Sequence, residues 1–205
     1  MILGALLAAG TGSRFDGGNE LLADLDGEPI VAHAAGTLTD SDLDAVVAVV
    51  GHEAEAVTSA LPDEIAVLAN PSYERGQSAS VRRAVEAARE RDAEAVLFAL
   101  GDMPRVSVET VDEILRTYRE STPGIVAPRH RNRRGNPVLF DSRYFDALAD
   151  VAGDKGGRDL LESESVEWVD VPDSGIHRDV DTEADLQELR RGGHSESDGS
   201  TSERG

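Results

Sequence analysis

Cysteine is absent from this 205-residue chain, and among its 20 basic residues only Lys155 is a lysine. Without thiols there are no disulfides, no thiol nucleophile and no cysteine-ligated zinc. The five histidines show neither metal-ligand spacing nor a Ser-His-Asp arrangement. No apolar run approaches the roughly 18 residues needed to cross a bilayer. Met1 leads straight into Ile2–Leu7 without the basic region and cleavage site of a signal peptide. These absences predict a cytoplasmic protein with no membrane partner. Positive charge is also short: 40 acidic residues against 20 basic leave a net charge of −20. Nucleic acid is excluded as a partner, because binding it needs a basic surface that displaces counterions. An acidic chain almost without lysine suits a halophilic cytoplasm of molar salt, where a Debye length of about 3 Å screens the self-repulsion of surface carboxylates. An acidic mesophilic protein is the alternative.

What is present is enough to fold alone, with 40% hydrophobic residues and a length that fits one domain. Short apolar runs at Ile2–Ala8, Ala45–Val50 and Ala95–Leu100 read as buried strands, with a weaker one at Ile65–Ala69. Helical patterns lie between and after them, at Pro29–Thr39, Glu53–Leu61, Gln77–Arg91 and Asp112–Arg119. This alternation predicts a mostly parallel sheet covered on both faces. Beyond residue 122 it loosens. Gly124–Ala127 and Val138–Phe140 read as strands around an Arg-rich loop, His130–Arg134. A helix at Ser142–Asp150, a turn at Gly153–Gly157 and a helix to Glu162 follow. Val166–Val171 is a late strand and Glu183–Arg190 a last helix. The folded domain is expected over residues 1–191, with a disordered tail of Gly, Ser, Glu and Asp over 192–205.

The first strand runs into Leu7-Ala8-Ala9-Gly10-Thr11-Gly12-Ser13-Arg14-Phe15. Small residues let the backbone approach a ligand, inward N–H groups cradle phosphates, and Arg14 adds a fork of donors. A tight strand-to-helix turn with a surface arginine is the plainer reading. The dinucleotide fingerprint is a poor match, since Phe15 stands where its third glycine belongs, and the P-loop Gly-Lys-Ser/Thr is missing. The run Leu-Ala-Ala-Gly-x-Gly-x-Arg-Phe does resemble the signature loop of the MobA-like NTP transferase domain family, most nearly the molybdenum cofactor cytidylyltransferases. The resemblance covers roughly residues 2 to 190 and rests on several motifs in the family's order. It implies a three-layer α/β/α domain with a mostly parallel sheet, of the Rossmann-like nucleotide-diphospho-sugar transferase fold. It also implies that Leu7, Ala8, Ala9, Gly10, Gly12 and Arg14 hold the nucleotide.

The remaining motifs carry two readings each. Asn70-Pro71 and Gly76–Val81 look structurally like a turn and an N-capped helix; in the family this segment holds nucleobase and ribose, with Asn70, Ser80 and Val81 nearby. Gly101-Asp102-Met103-Pro104 ends a strand, where parallel sheets bind ligands and a carboxylate can hold Mg²⁺ through oxygen. Asp102 is otherwise a turn residue before proline, and in the family it is a magnesium ligand. A second carboxylate is expected from Asp179-Val180-Asp181-Thr182, which resembles the family's closing motif. Alternation along an extended stretch leaves one Asp facing the metal, read here as Asp181. Asp185 reads as a solvated first-turn residue.

The acceptor side rests on Arg134-Gly135-Asn136-Pro137-Val138-Leu139-Phe140, which resembles a family Gly-His-Pro-Val-Leu-Phe run with Asn136 replacing His. It rests also on Gly153-Asp154-Lys155-Gly156-Gly157-Arg158, where Asp154, Lys155 and Arg158 face an anionic acceptor. One position departs from the family: Glu20 stands where a triphosphate-contacting lysine is usual. Glu20 is expected either to turn away from the phosphates or to help hold a cation. The resemblance implies Mg²⁺-dependent transfer of a nucleoside monophosphate from an NTP to a phosphorylated acceptor, with Arg14, Asp102 and Asp181 as the catalytic set. Ala9 favours CTP, and the usual acceptor is a molybdenum-bearing phosphorylated pterin, with a molybdoenzyme or its chaperone as a further partner. A sugar-1-phosphate nucleotidyltransferase and a non-catalytic nucleotide sensor or carrier are the alternatives.

Overall fold

The computed structural model describes residues 1–12, 14–16, 18–150 and 157–195. Strand β1 (Ile2–Ala8) is followed by a small hairpin, β2 (Asp24–Leu25) and β3 (Glu28–Pro29), and by helix α1 (Ile30–Thr39). Then come β4 (Ala45–Val50), α2 (Ala54–Ser59), β5 (Ala66–Ala69), α3 (Gln77–Glu90), β6 (Ala95–Leu100) and α4 (Val108–Ser121). The second half holds β7 (Ile125–His130), β8 (Arg133–Arg134), β9 (Val138–Asp141), α5 (Phe145–Asp150), α6 (Arg158–Ser163), β10 (Glu167–Asp170) and α7 (Glu183–Ser195).

The main sheet has the order β10-β7-β9-β6-β1-β4-β5, with β8 paired onto β7. β1 lies parallel to both β4 and β6 and all seven of its residues are buried. Its alternate side chains feed opposite cores. Leu6 packs with Leu38 of α1, Val57 of α2 and Ile114 of α4, whereas Leu3 and Leu7 pack with Val85 of α3 and Leu148 of α5. The expected three-layer α/β/α architecture is therefore present.

β9 is the exception to the parallel order, running antiparallel to both β6 and β7. Val138 at its start is in register with Phe98 near the end of β6. The reversal delivers Gly135-Asn136-Pro137, the segment just before β9, to the end of the sheet where β1 and β6 finish. A third apolar cluster of Phe15, Leu25, Ile30, Val180, Leu186 and Leu189 fastens the first loop, the β2–β3 hairpin and α7 together.

Several boundaries differ from the sequence reading. The Arg-rich stretch after His130 is a hairpin arm rather than an open loop, because β8 pairs Arg134 with Arg129 and Arg133 with His130. α4 begins a turn early, where the Ser107 hydroxyl accepts from the Thr110 N–H at 3.2 Å. The Ser142–Asp150 helix opens as a 3-10 turn. α7 runs to Ser195, past the Arg190 expected. The rest of the expected tail, and all but Gly157 of the expected Gly153–Gly157 turn, lie outside the described residues. Among the described residues no helix is long and apolar enough to cross a membrane.

Candidate active site

Where β1 stops, the chain turns sharply. Gly12 has φ +60°, in the left-handed region, and its carbonyl accepts from the Phe15 N–H at 2.9 Å. A Cβ on Gly12 would overlap Glu20 Oε2 and come within 3.0 Å of the Gly18 carbonyl, so only glycine fits. Gly101, just past β6, donates its N–H to the Leu7 carbonyl at 3.0 Å. A Cβ there would press on Ala8 and Leu21. The β1 loop and the β6 end are thus held edge to edge.

Carboxylates gather at this join. The Val180 N–H donates to the Asp102 carbonyl at 2.9 Å, bringing the closing segment against the end of β6. Val180 is fully buried, and its burial contributes about 1.5–3 kcal/mol toward anchoring the segment. Asp179 and Asp181 flank it. Burial first, then Asp179 and Asp181, with Glu20 a smaller contributor, push Asp102 up to about 7. Asp179 thus acts on Asp102 more strongly than Asp181 does. Asp181 accepts from Arg14 at 2.9 Å in a partly exposed ion pair, worth no more than about 1 kcal/mol.

Glu20 does not turn away. It belongs to a 3-10 turn, Glu20–Leu22, whose N-cap Asn19 accepts from the Leu21 N–H at 3.1 Å. This cap directs Glu20 inward, under Gly10 and Gly12. The side chain is buried, and burial, with a further contribution from Asp181, raises its pKa. Glu20 Oε2 and Asp102 Oδ1 are both buried without a hydrogen-bond partner, and both residues line one cavity. Orphaned carboxylate oxygens are what a hard divalent cation satisfies. No group of three His, Cys, Asp or Glu side chains forms a ready-made cage among the described residues. Glu20 and Asp102 are the carboxylates that could hold such a cation from the protein side.

This cavity, about 300 Å³, is walled by Leu7, Ala9, Gly10, Thr11, Ser80 and the Tyr73–Gln77 turn. α3 opens onto it. Its N-cap Gly76 makes no side-chain cap, contrary to the capped helix expected, and the Ala79 N–H donates to the Gly76 carbonyl at 3.1 Å, so Gln77 and Ser78 at the positive end of the helix dipole have no cap from a side chain. Asn70 is committed internally: its Nδ2 donates to Ser80 Oγ at 3.0 Å and its Oδ1 accepts from the Ser72 N–H at 3.0 Å. It positions Ser80 rather than reaching the cavity. Ala8 is buried behind the wall.

A second cavity, of about 350 Å³, adjoins the first, with Leu7, Gln77 and Leu100 lining both. Gly135, Asn136 and Arg158 line it as expected, and Arg134 joins them. Val81 lines this cavity rather than the first. Pro137 lies behind, next to Met103. At Gly135 a Cβ would meet the Ile176 carbonyl at 2.5 Å, so the chain passes there only as glycine. Asp154 and Lys155 lie outside the described residues. Gln77 and Arg134 lie within the motifs read above as base-holding and acceptor-side, whereas Tyr73, which also lines the first cavity, was missed.

Asp185 is more than a solvated residue. Its Oδ2 accepts from the Thr182 N–H and hydroxyl at 2.8 and 2.6 Å, while its own N–H donates to Thr182 Oγ1 at 3.3 Å. This reciprocal cap starts α7 and fixes Asp181 at its edge.

Comparison with known proteins places this geometry. The model of the MobA-like NTP transferase domain matches residues 4–168. Nicotine blue oxidoreductase of Paenarthrobacter nicotinovorans is 31% identical over 92% of this chain and 96% of its own length. The purine catabolism protein PucB of Bacillus subtilis is 27% identical over 93% of this chain and 96% of its own. The crystal structure of Rv0371c from Mycobacterium tuberculosis superimposes with a TM-score of 0.83 at 29% identity, covering 93% of this chain and 97% of that one. A complex of Rv0371c with manganese gives 0.78 at 27% identity, over 93% and 98% of the two chains. The chain therefore belongs to the MobA-like NTP transferase domain family, the nucleotidyltransferases whose fold it shares.

Proposed function

We propose that the protein transfers CMP from CTP to a phosphorylated acceptor, a molybdopterin-type cofactor, and releases pyrophosphate. The observation that carries this reading is the pair of adjoining cavities meeting at Leu7, Gln77 and Leu100, with the orphaned Asp102 oxygen at the donor side. The donor triphosphate would lie along Gly10–Gly12 and the uncapped start of α3, with Arg14 exchanging Asp181 for a phosphate. The acceptor phosphate would enter from the second cavity past Asn136 and Arg158. An acceptor oxygen bonds to the α-phosphorus while the bond from that phosphorus to the bridging oxygen breaks, and pyrophosphate leaves. The attacking phosphate is already ionised, so no protein base is needed. Positioning and charge neutralisation do the work. Asp102 and Asp181 would hold Mg²⁺, which neutralises phosphate charge when bound. Ala9, in the donor wall, supports a pyrimidine base, and the product would pass to a molybdoenzyme or its chaperone.

Asp102→Asn is expected to abolish pyrophosphate release in a screen of four NTPs against phosphorylated pterin and hexose phosphates in high salt. Its circular dichroism should be unchanged. Near-native turnover in that variant would remove Asp102 from the site. Preference for GTP, or for hexose phosphates, would replace the cytidylyl-pterin reading. A second reading, a nucleotide sensor without turnover, is favoured by Glu20 alone, and NTP binding without pyrophosphate in both forms would establish it.

A further inference from the structure

Arginine is the chain's working cation, and its partners are acidic. Arg105 pairs with Asp26, Arg116 with Glu113 and Glu120, Arg129 with Asp170 and Arg143 with Asp141. Arg75 is a lone exception, and four further arginines break the pattern together. Among the described residues, the side chains of Arg131, Arg133, Arg134 and Arg178 make no hydrogen bond or ion pair. In a chain of net charge −20, such a gathering is not for want of carboxylates.

The four sit on the β7–β8 hairpin and just after the turn Ser174–His177. Arg131, Arg133 and Arg178 line an open cavity of about 420 Å³ with His130, His177 and Ser174. His130 lies directly opposite Arg133 across the hairpin. The rings of His130 and His177 are 6.1 Å apart. His130 Nδ1 lies 2.9 Å from the Val171 carbonyl and His177 Nε2 3.1 Å from the Arg133 carbonyl, so each ring is held by a backbone acceptor. At the hairpin tip Arg131 and Asn132 have φ 49° and 64°. Asparagine tolerates that left-handed conformation; arginine adopts it at a cost. Asp170 and Asp173, which line a neighbouring cavity with Arg178, are already committed. Asp170 takes both forks of Arg129, and Asp173 accepts from the Ser107 and Gly175 N–H groups and the Thr110 hydroxyl.

We propose that this cavity is a second anion site, which takes the phosphate groups of a small soluble phosphorylated molecule. The concave shape and forked guanidinium donors match phosphate oxygens, which arginine binds bidentately. The site has a route to the reaction. Arg133 and Arg134 alternate on the strand, so Arg133 lines the anion cavity while Arg134 lines the acceptor cavity. A ligand that fixes the hairpin would fix the acceptor wall. Only this consequence rests on the proposed transfer reaction.

The test is calorimetric titration with inorganic pyrophosphate in EDTA, at a salt concentration that keeps the chain folded. Without a cation, the carboxylates of Glu20, Asp102, Asp179 and Asp181 repel the anion from the active site, so binding reports on the hairpin. One site per chain is expected. The double variant Arg133→Ser/Arg178→Ser, at two exposed positions, should weaken it at least tenfold, whereas Arg14→Ala should leave it unchanged. No binding by the unmodified chain, undiminished binding by the double variant, or loss in Arg14→Ala would each overturn the proposal. So would a glutamate oligomer binding as tightly through the same residues, which would mark a surface for acidic proteins.

Discussion

At the scale of single residues, Glu20 sets the electrostatic problem of the donor cavity. A full charge facing a phosphate at about 4 Å, with an effective dielectric near 20, is worth roughly 4 kcal/mol. Glu20 is buried there beside Asp102, so bulk salt screens it poorly. A cation must offset it whenever a triphosphate is present. Glu20→Lys is therefore expected to lower the Michaelis constant for NTP and to raise the divalent-cation concentration at half-maximal rate, read from pyrophosphate release. Loss of an otherwise robust activity at saturating cation would instead make Glu20 a direct cation ligand. The identity of Glu20 was legible as a departure, but its direction was not. A three-residue turn capped by Asn19 decides that, and nothing in the residues around it has a period long enough to read. That Asp102 lies at a strand end beside the β1 loop was legible from the parallel alternation, whereas the approach of Asp181 to Arg14 was expected only from the resemblance of the closing motif. That Ser80 and Val81 line different cavities was not legible, because one turn of α3 faces both, a division that depends on where β9 lies.

At the scale of elements, the apolar runs of β1, β4 and β6 are the strands themselves, since a strand buried on both faces has nothing polar to blur its ends. The β2–β3 hairpin was overlooked although Asp26-Gly27, with φ 57° and 96°, is the turn chemistry such hairpins require. The direction of β9 was beyond reach, because a short apolar run reads the same whichever way it points. Its end is tied down by Asp141, which accepts from the Tyr118 hydroxyl at 2.8 Å and from the Arg143 backbone and guanidinium at 3.0 and 2.8 Å. Burial pushes Asp141 up, but the bonds from Arg143 and Tyr118 outweigh it and hold its carboxyl below the usual range. A depressed carboxylate contributes stability that is complete above the unfolded pKa, about 3.9, and is lost as pH falls through the folded value. Asp141→Asn should cost about 1–3 kcal/mol at pH 7. Urea melts should show that difference shrinking only below about pH 4. A difference constant from pH 7 to pH 2.5 would mean that the carboxylate's charge plays no part.

At the scale of the whole molecule, a net charge of −20 strains the compact state unless salt screens it. The surface arginine pairs do not solve this, since exposed pairs contribute at most about 1 kcal/mol each. The melting temperature is expected to climb steadily between 0.1 and roughly 2 M KCl, beyond the concentration at which a Debye length near 10 Å has already fallen below contact range. A plateau by 0.3 M, measured by scanning calorimetry, would favour the acidic mesophilic alternative.

The bond from the Val180 N–H to the Asp102 carbonyl gives the molecule an order in time as well as in space. Chains emerge from the ribosome N-terminus first and begin to fold as they do. β1, β4 and β6 can pair before Asp179–Asp181 has been synthesised, whereas the loop after β1 gains its full apolar anchor only when Val180, Leu186 and Leu189 pack with Phe15. The family-matched region itself ends at residue 168, short of that segment. A nascent chain would thus carry Glu20 and Asp102 at the ends of β1 and β6 before Asp179 and Asp181 reach them. The carboxylate cluster is the last part of the fold to be completed.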